Sequence, residues 1–149
     1  MAIIQTNEML GIYPVPNCSE AGEVYEANFK IDTAVQNLAA GDFVQLMQLP
    51  GNAVLTDIRL GASATLGGTT VAAGIADALA TTALATTLIA AAAITTTAVS
   101  HANSLVMADL PVAAPTKDQR IVALAIAVEA EATNVIYVSV QYRAARYGK

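Results

Sequence analysis

Few residues in this 149-residue chain have types that do chemistry, and their spacing withholds it. His101 is the single histidine, and no carboxylate or cysteine lies within four residues of it. A metal needs several convergent ligands, so His101 reads as a surface or loop residue. Ser100-His101 and distant acids resemble a nucleophilic set only on paper, because no G-x-S-x-G elbow occurs. Glu129 and Glu131 share a face if a strand runs through them, or ride a turn. Paired carboxylates serve acid–base work or bind Ca²⁺, but a solvated turn is the simpler reading. Gly67-Gly68-Thr69 lacks the lysine of a phosphate-binding loop. Cys18 is the single cysteine, which excludes an intrachain disulfide and a thiolate cluster. Tryptophan is absent and aromatics make up 5%, so sugar-stacking platforms are scarce. The expectation is no enzyme, no cofactor and no metal site.

What the chain does carry is a series of short alternating segments. In Val24–Asp32, Tyr25, Ala27, Phe29 and Ile31 fall on one face and Glu26, Asn28, Lys30 and Asp32 on the other. That period of two marks a half-buried strand. Leu38 to Asp42 reads as a turn. In Phe43 to Leu49, Phe43, Gln45, Met47 and Leu49 alternate with Val44, Leu46 and Gln48. After the Pro50-Gly51-Asn52 turn, Val54, Thr56, Ile58 and Leu60 alternate with Leu55, Asp57 and Arg59. In Thr69 to Ala76, Val71 and Ile75 share a face with Thr69 and Ala73. From Arg120 to Val128, Val122, Leu124, Ile126 and Val128 oppose Ile121, Ala123, Ala125 and Ala127. The second set is small but apolar, so both faces should be covered. Val135 to Arg143 closes the series, with Ile136, Val138, Val140 and Tyr142 toward the core and Tyr137, Ser139 and Gln141 opposite. Many short strands separated by turns point to an all-β chain, a jelly roll or β-sandwich of short antiparallel strands.

Composition says what such a domain is for. Hydrophobic residues make up 55% and charged residues 13%, against about 25% charged in ordinary globular chains. Surface so poor in charge suits a subunit whose exterior is covered by neighbours. A net charge of −5 argues against nucleic acid, which demands clustered cations. Arg143, Arg146 and Lys149 form a basic C-terminal tail (residues 144–149 beyond the domain), read as a solvated end or a dock for an acidic neighbour. Residues 1–22 read as an extended N-terminal arm before a domain at 23–143. Pro14, Pro16 and Gly22 break regular structure there, while Ile3, Ile4, Met9, Leu10, Ile12 and Tyr13 need cover from the same domain or a neighbouring subunit. The first basic residue is Lys30, so a secretory start is missing and synthesis in a reducing cytoplasm is expected.

From Ala78 to Ala108 the chain has no Asp, Glu, Lys or Arg. A membrane helix has the length, but Ala78–Val99 holds nine Ala, seven Thr and only six Leu, Ile or Val. Such residues supply little transfer energy, and neither basic anchors nor an aromatic belt flanks them. An ice-binding array fails because the Thr81-Thr82 and Thr86-Thr87 pairs give way to Thr95-Thr96-Thr97. A buried Ala-rich helix has propensity behind it. A connection leading into a strand at Leu88–Val99 is the favoured alternative, since Ile94 and the threonines suit a pleated surface.

The order of these segments resembles a known group. G-D-F-V-Q-L-M-Q-L-P-G-N-A-V-L-T-D-I-R-L (Gly41–Leu60) is similar to small structural proteins of tailed bacteriophages, in which a strand carrying E-L-x-x-L-P-x-G-A-x-V-x-D leads to a Gly-rich turn. T-V-A-A-G-I-A-D (Thr70–Asp77), an Ala-rich stretch, I-V-A-L-A-I-A-V (Ile121–Val128) and N-V-I-Y-V-S-V-Q-Y (Asn134–Tyr142) come next in the same order, so the likeness covers roughly residues 24–143. The resemblance implies a jelly-roll or β-sandwich decoration protein. It would cement the outside of an HK97-like capsid, with the major capsid protein and copies of itself (a homodimer or homotrimer) as partners. Nucleic acid and membrane are not among them. It would be made in the bacterial cytoplasm and reside on the outer surface of the virion. Only Asp77 remains of the acids usual in the loop after Ile75, which counts against an ion there. As reaching and contact residues we expect Ile12, Tyr13, Pro14, Pro16, Tyr142, Arg143 and Arg146. The rival is a receptor- or carbohydrate-binding head domain of a phage fibre or tail.

Overall fold

The computed structural model describes residues 2–12, 24–50, 53–64, 69–77, 79–94, 99–100, 120–128 and 134–144. Strands are β1 (Ile3–Gln5), β2 (Val24–Asp32), β3 (Phe43–Gln48), β4 (Ala53–Ala62), β5 (Thr70–Ala76), β6 (Thr86–Ala93), β7 (Val99–Ser100), β8 (Ile121–Ile126) and β9 (Val135–Ala144). They form two sheets, one in the order β1-β3-β8-β5-β6 and the other β2-β9-β4-β7. The protein is an all-β sandwich, and no helix occurs among the described residues. All pairings are antiparallel except β1 with β3.

One main core lies between the sheets. β2 supplies Ala27, Phe29 and Ile31, and β9 supplies Ile136, Val138, Val140 and Tyr142, as the alternation in both segments requires. Tyr142 is fully buried and stacks on Tyr25, with ring centroids 5.9 Å apart. From the five-stranded sheet come Val71, Ala73 and Ile75 on β5 and Val122, Leu124 and Ile126 on β8. The other face of β8 is covered too, because Ile121 and Ala123 join Phe43 and Ala76 in a second, outer cluster. Val128 lies beyond the end of β8 and is exposed.

β3 and β4 break the simple alternation through bulges, each of which adds a residue to one strand and reverses the facing of the residues beyond it. On β4, Leu55 pairs with Tyr142 and Asp57 with the adjacent Gln141, so Thr56 is the extra residue. Ala53 and Leu55 therefore share the core side with Ile58, Leu60 and Ala62, not Val54 and Thr56 as a period of two demands. On β3 the shift falls between Gln45 and Met47. Val44, Leu46, Met47 and Leu49 enter the core, while Phe43 belongs to the outer cluster. Within the Ala/Thr segment the described residues hold two strands: β6 (Thr86–Ala93) pairs with β5, and β7 (Val99–Ser100) with β4. The turn before β3 depends on Gly41, whose φ of 88° lies where only glycine is unstrained.

The expected N-terminal arm begins as part of the sandwich. β1 lies parallel to β3 in the register Ile3–Phe43, Ile4–Val44 and Gln5–Gln45, and Ile4 packs against the main core. Residues 13–23, the tail beyond Ala144, and Cys18, His101, Glu129 and Glu131 lie outside the described residues.

Candidate functional site

The outer face of the five-stranded sheet is built differently from that of the four-stranded sheet. At its centre are Phe43, Ala76, Ile121 and Ala123, roofed by Met9 and Leu84. A fully buried glutamine, Gln45, ties down both covering segments. Its Nε2 donates to the Leu79 carbonyl at 2.8 Å, and its Oε1 accepts from Gln5 Nε2 at 2.9 Å. A buried amide satisfied on both ends fixes its neighbours, since losing either partner strands a desolvated polar group.

Asp42 secures the start of β1. Its Oδ1 accepts from the Ala2 amide at 2.7 Å and its Oδ2 from the Ala39 amide at 2.9 Å, while Phe43 N–H donates to the Ala2 carbonyl at 2.9 Å. The Ala2 hydrogen bond, helped by that of Ala39, holds the Asp42 carboxyl below the usual carboxylate range, against the opposing effect of burial. Beyond β1, Thr6 N–H donates to the Gln45 carbonyl at 3.1 Å and its hydroxyl to the Leu46 carbonyl. Leu10 and Ile12 then close tight turns back onto Thr6 and Asn7.

These segments leave apolar side chains in solvent. Leu10 is 55% exposed and Ile12 61%, with Ile3 and Leu79 also open. Ile3 stands in register with Phe43, Leu79 is the residue whose carbonyl Gln45 holds, and Leu10 directly follows Met9, which packs on the outer cluster. Exposed large apolar side chains that gather into a patch mark a protein–protein contact more often than any chemistry.

The opposite face, on β2, β9 and β4, is polar. Glu26 accepts from Ser139 Oγ at 2.8 Å and Gln141 Nε2 at 3.1 Å, and these bonds lower its pKa, the Ser139 bond most. Arg59 Nε donates to Asp57 at 2.8 Å. A depression of about 340 Å³ lies beside Tyr137, which is half exposed, and is lined by Asn28, Arg59, Gly61 and Ser139. Among the described residues no cluster of three or more His, Cys, Asp or Glu could hold a metal.

Of the expected contact residues, Ile12 is exposed at the end of the turns that follow β1. Arg143 is exposed on the polar face, in register between Val24 and Val54. Tyr142 is a correction: at 0% exposure it offers no surface, because β9 turns it into the core. Tyr13, Pro14, Pro16 and Arg146 lie outside the described residues. Sequence reasoning missed Leu79 and Gln45. A glutamine inside the apolar run F-V-Q-L-M was the signal available for the second.

Comparison with solved structures finds this sandwich in phage capsids. The chain matches one in the capsid of Ralstonia phage GP4 with a TM-score of 0.65 and 23% identity, over 95% of this chain and 97% of that one. It also matches a chain in the acidic stable capsid structure of Helicobacter pylori bacteriophage KHP30, with a TM-score of 0.50 and 16% identity, over 83% and 89%. No family model and no curated protein matches the sequence. At these identities the likeness defines a fold class, the two-sheet β-sandwich found in capsids.

Proposed function

We propose that this protein is a structural component of a phage virion, a jelly roll that docks on the outside of the capsid and cements neighbouring subunits. The order β2-β9-β4-β7 facing β3-β8-β5-β6 is that of two Greek keys wound together, which is how we read the sandwich as a jelly roll. The observation that carries the role is end-to-end likeness to a capsid chain. The exposed apolar residues Leu10, Ile12 and Leu79 are of the right kind for a contact, and a specific dock needs about 1,000 Å² or more of total buried area. Repetition over a symmetric shell multiplies weak joints.

Purified protein mixed with phage shells assembled without it should sediment with them and raise the temperature at which they rupture. Leu10→Asp with Ile12→Asp should abolish both effects and leave the protein's own melting unchanged within about 0.5 kcal/mol, since both sites are exposed. Wild-type protein left entirely in the supernatant refutes the role. The receptor- or carbohydrate-binding reading has one observation in its favour, the depression beside Tyr137. Sedimentation with bare shells would decide against it.

A further inference from the structure

We infer that residues 2–6 form an exchangeable strand, which in the assembled state docks on β3 of a second copy of this chain. Sheet edges are templates for pairing unless blunted. β2 carries Glu26, Lys30 and Asp32 along its length, β7 has only two residues, and β6 is interrupted by two register shifts against β5. The edge of β3 has none of these protections. Its sequence F-V-Q-L-M-Q holds no charge and no proline, and what covers it is β1. That edge must stay covered, and the strand shaped to cover it is residues 2–6.

The cover is a small, self-contained unit. It comprises three ladder residues, the bonds of Ala2 to Asp42 and to Phe43, the Gln5–Gln45 bond, the two Thr6 bonds and one apolar anchor, Ile4. Each of these contacts can be made within one chain or between two, so exchange alters no bond. Connectivity alone separates the two states. Between Ile12 and Val24 lie eleven residues including Pro14 and Pro16, a length that reaches at most roughly 40 Å. A tether of this length keeps the strand near its own β3 at roughly millimolar effective concentration. Copies held side by side in an assembly reach a similar concentration, so the closed form has no large advantage there. Exchange of an identical element is then a low-cost route to linking copies.

The test places a bridge across the Gln5–Gln45 register pair. A Cys18→Ser, Gln5→Cys, Gln45→Cys variant is prepared in isotopically heavy and light forms, which are mixed, refolded at several hundred micromolar and oxidised. Neighbouring strands lie about 4.8 Å apart, within the Cα range a disulfide accepts. Peptide mass analysis should find residue 5 of one form bridged to residue 45 of the other. The mixed fraction should fall at least tenfold when refolding is done below one micromolar. Bridges that join heavy to heavy and light to light alone, at every concentration, overturn the exchange. A second pair, Ile3→Cys with Phe43→Cys, repeats the measurement should the first variant not fold, and failure of both pairs to bridge at all also overturns it. Shells are absent from the experiment, so its outcome is separate from that of capsid docking.

Discussion

Adding one methyl group at Gly74 should unsettle the five-stranded sheet. A Cβ built there would lie 2.0 Å from the Thr86 carbonyl oxygen and 3.1 Å from Thr87 Cα, against 3.4–4 Å for ordinary contact. Both obstacles are backbone, so no rotamer change relieves them and β6 must move away from β5. Overpacking of this kind costs about 1–3 kcal/mol. Each ladder bond lost near Thr86 and Thr87 adds about 0.5–1.5 kcal/mol. Gly→Ala returns about 0.4–1 kcal/mol by restricting the unfolded chain. With one such bond lost, the net for Gly74→Ala is a loss of about 0.5–4 kcal/mol, or roughly 1–15 °C in melting temperature for a domain of this size. Gly11→Ala is the comparison, since nothing lies within 4 Å and only its φ of +73° is at stake, a cost of about 1–2 kcal/mol. Thermal unfolding followed by circular dichroism reads both. A Gly74→Ala protein that melts at or above the wild-type temperature would show that β5 and β6 do not approach as closely as described.

Two other perturbations concern the outer cover of the same sheet. The folded-state pKa of Asp42 is depressed below its unfolded value of about 3.9. Its stabilisation is therefore complete above that pH and lost as pH falls through the folded value; Asp42→Asn should flatten this part of the acid-melting profile, and an unchanged profile refutes the latch. Gln45→Leu keeps the volume but strands the Leu79 carbonyl and the Gln5 amide. We expect a loss of about 1–3 kcal/mol, with faster hydrogen exchange in residues 79–85.

Much of this architecture is readable from local pattern. Val24–Asp32 and Val135–Arg143 alternate without interruption and form the β2–β9 pair in full register. The small second face of Ile121–Ile126 pointed to cover on both sides, and Ile121 and Ala123 have it. The bulges were not legible, because T-D within L-T-D-I and L-M within Q-L-M-Q look like ordinary strand and only the partner's spacing reveals the extra residue. β1 was hidden for a related reason: its parallel partner lies 40 residues away, and three residues carry no period. Leu10 and Ile12 stood out in the sequence as apolar residues needing cover, whereas Leu79 is tied to the outer cluster only by way of Gln45.

The placement of β8 governs how the molecule is born. It is the middle strand of its sheet, flanked by β3 and β5, yet its residues come after those partners by 45 positions or more in sequence. β9 stands likewise between β2 and β4 and arrives last. A ribosome that has released everything up to residue 119 has therefore made two sheets, each with its central slat missing. Long-range closure of this kind is slow, and both gaps stay open until β8 and β9 have emerged. Until β8 and β9 follow, β3 and β5 lack the strand that joins them, and so do β2 and β4.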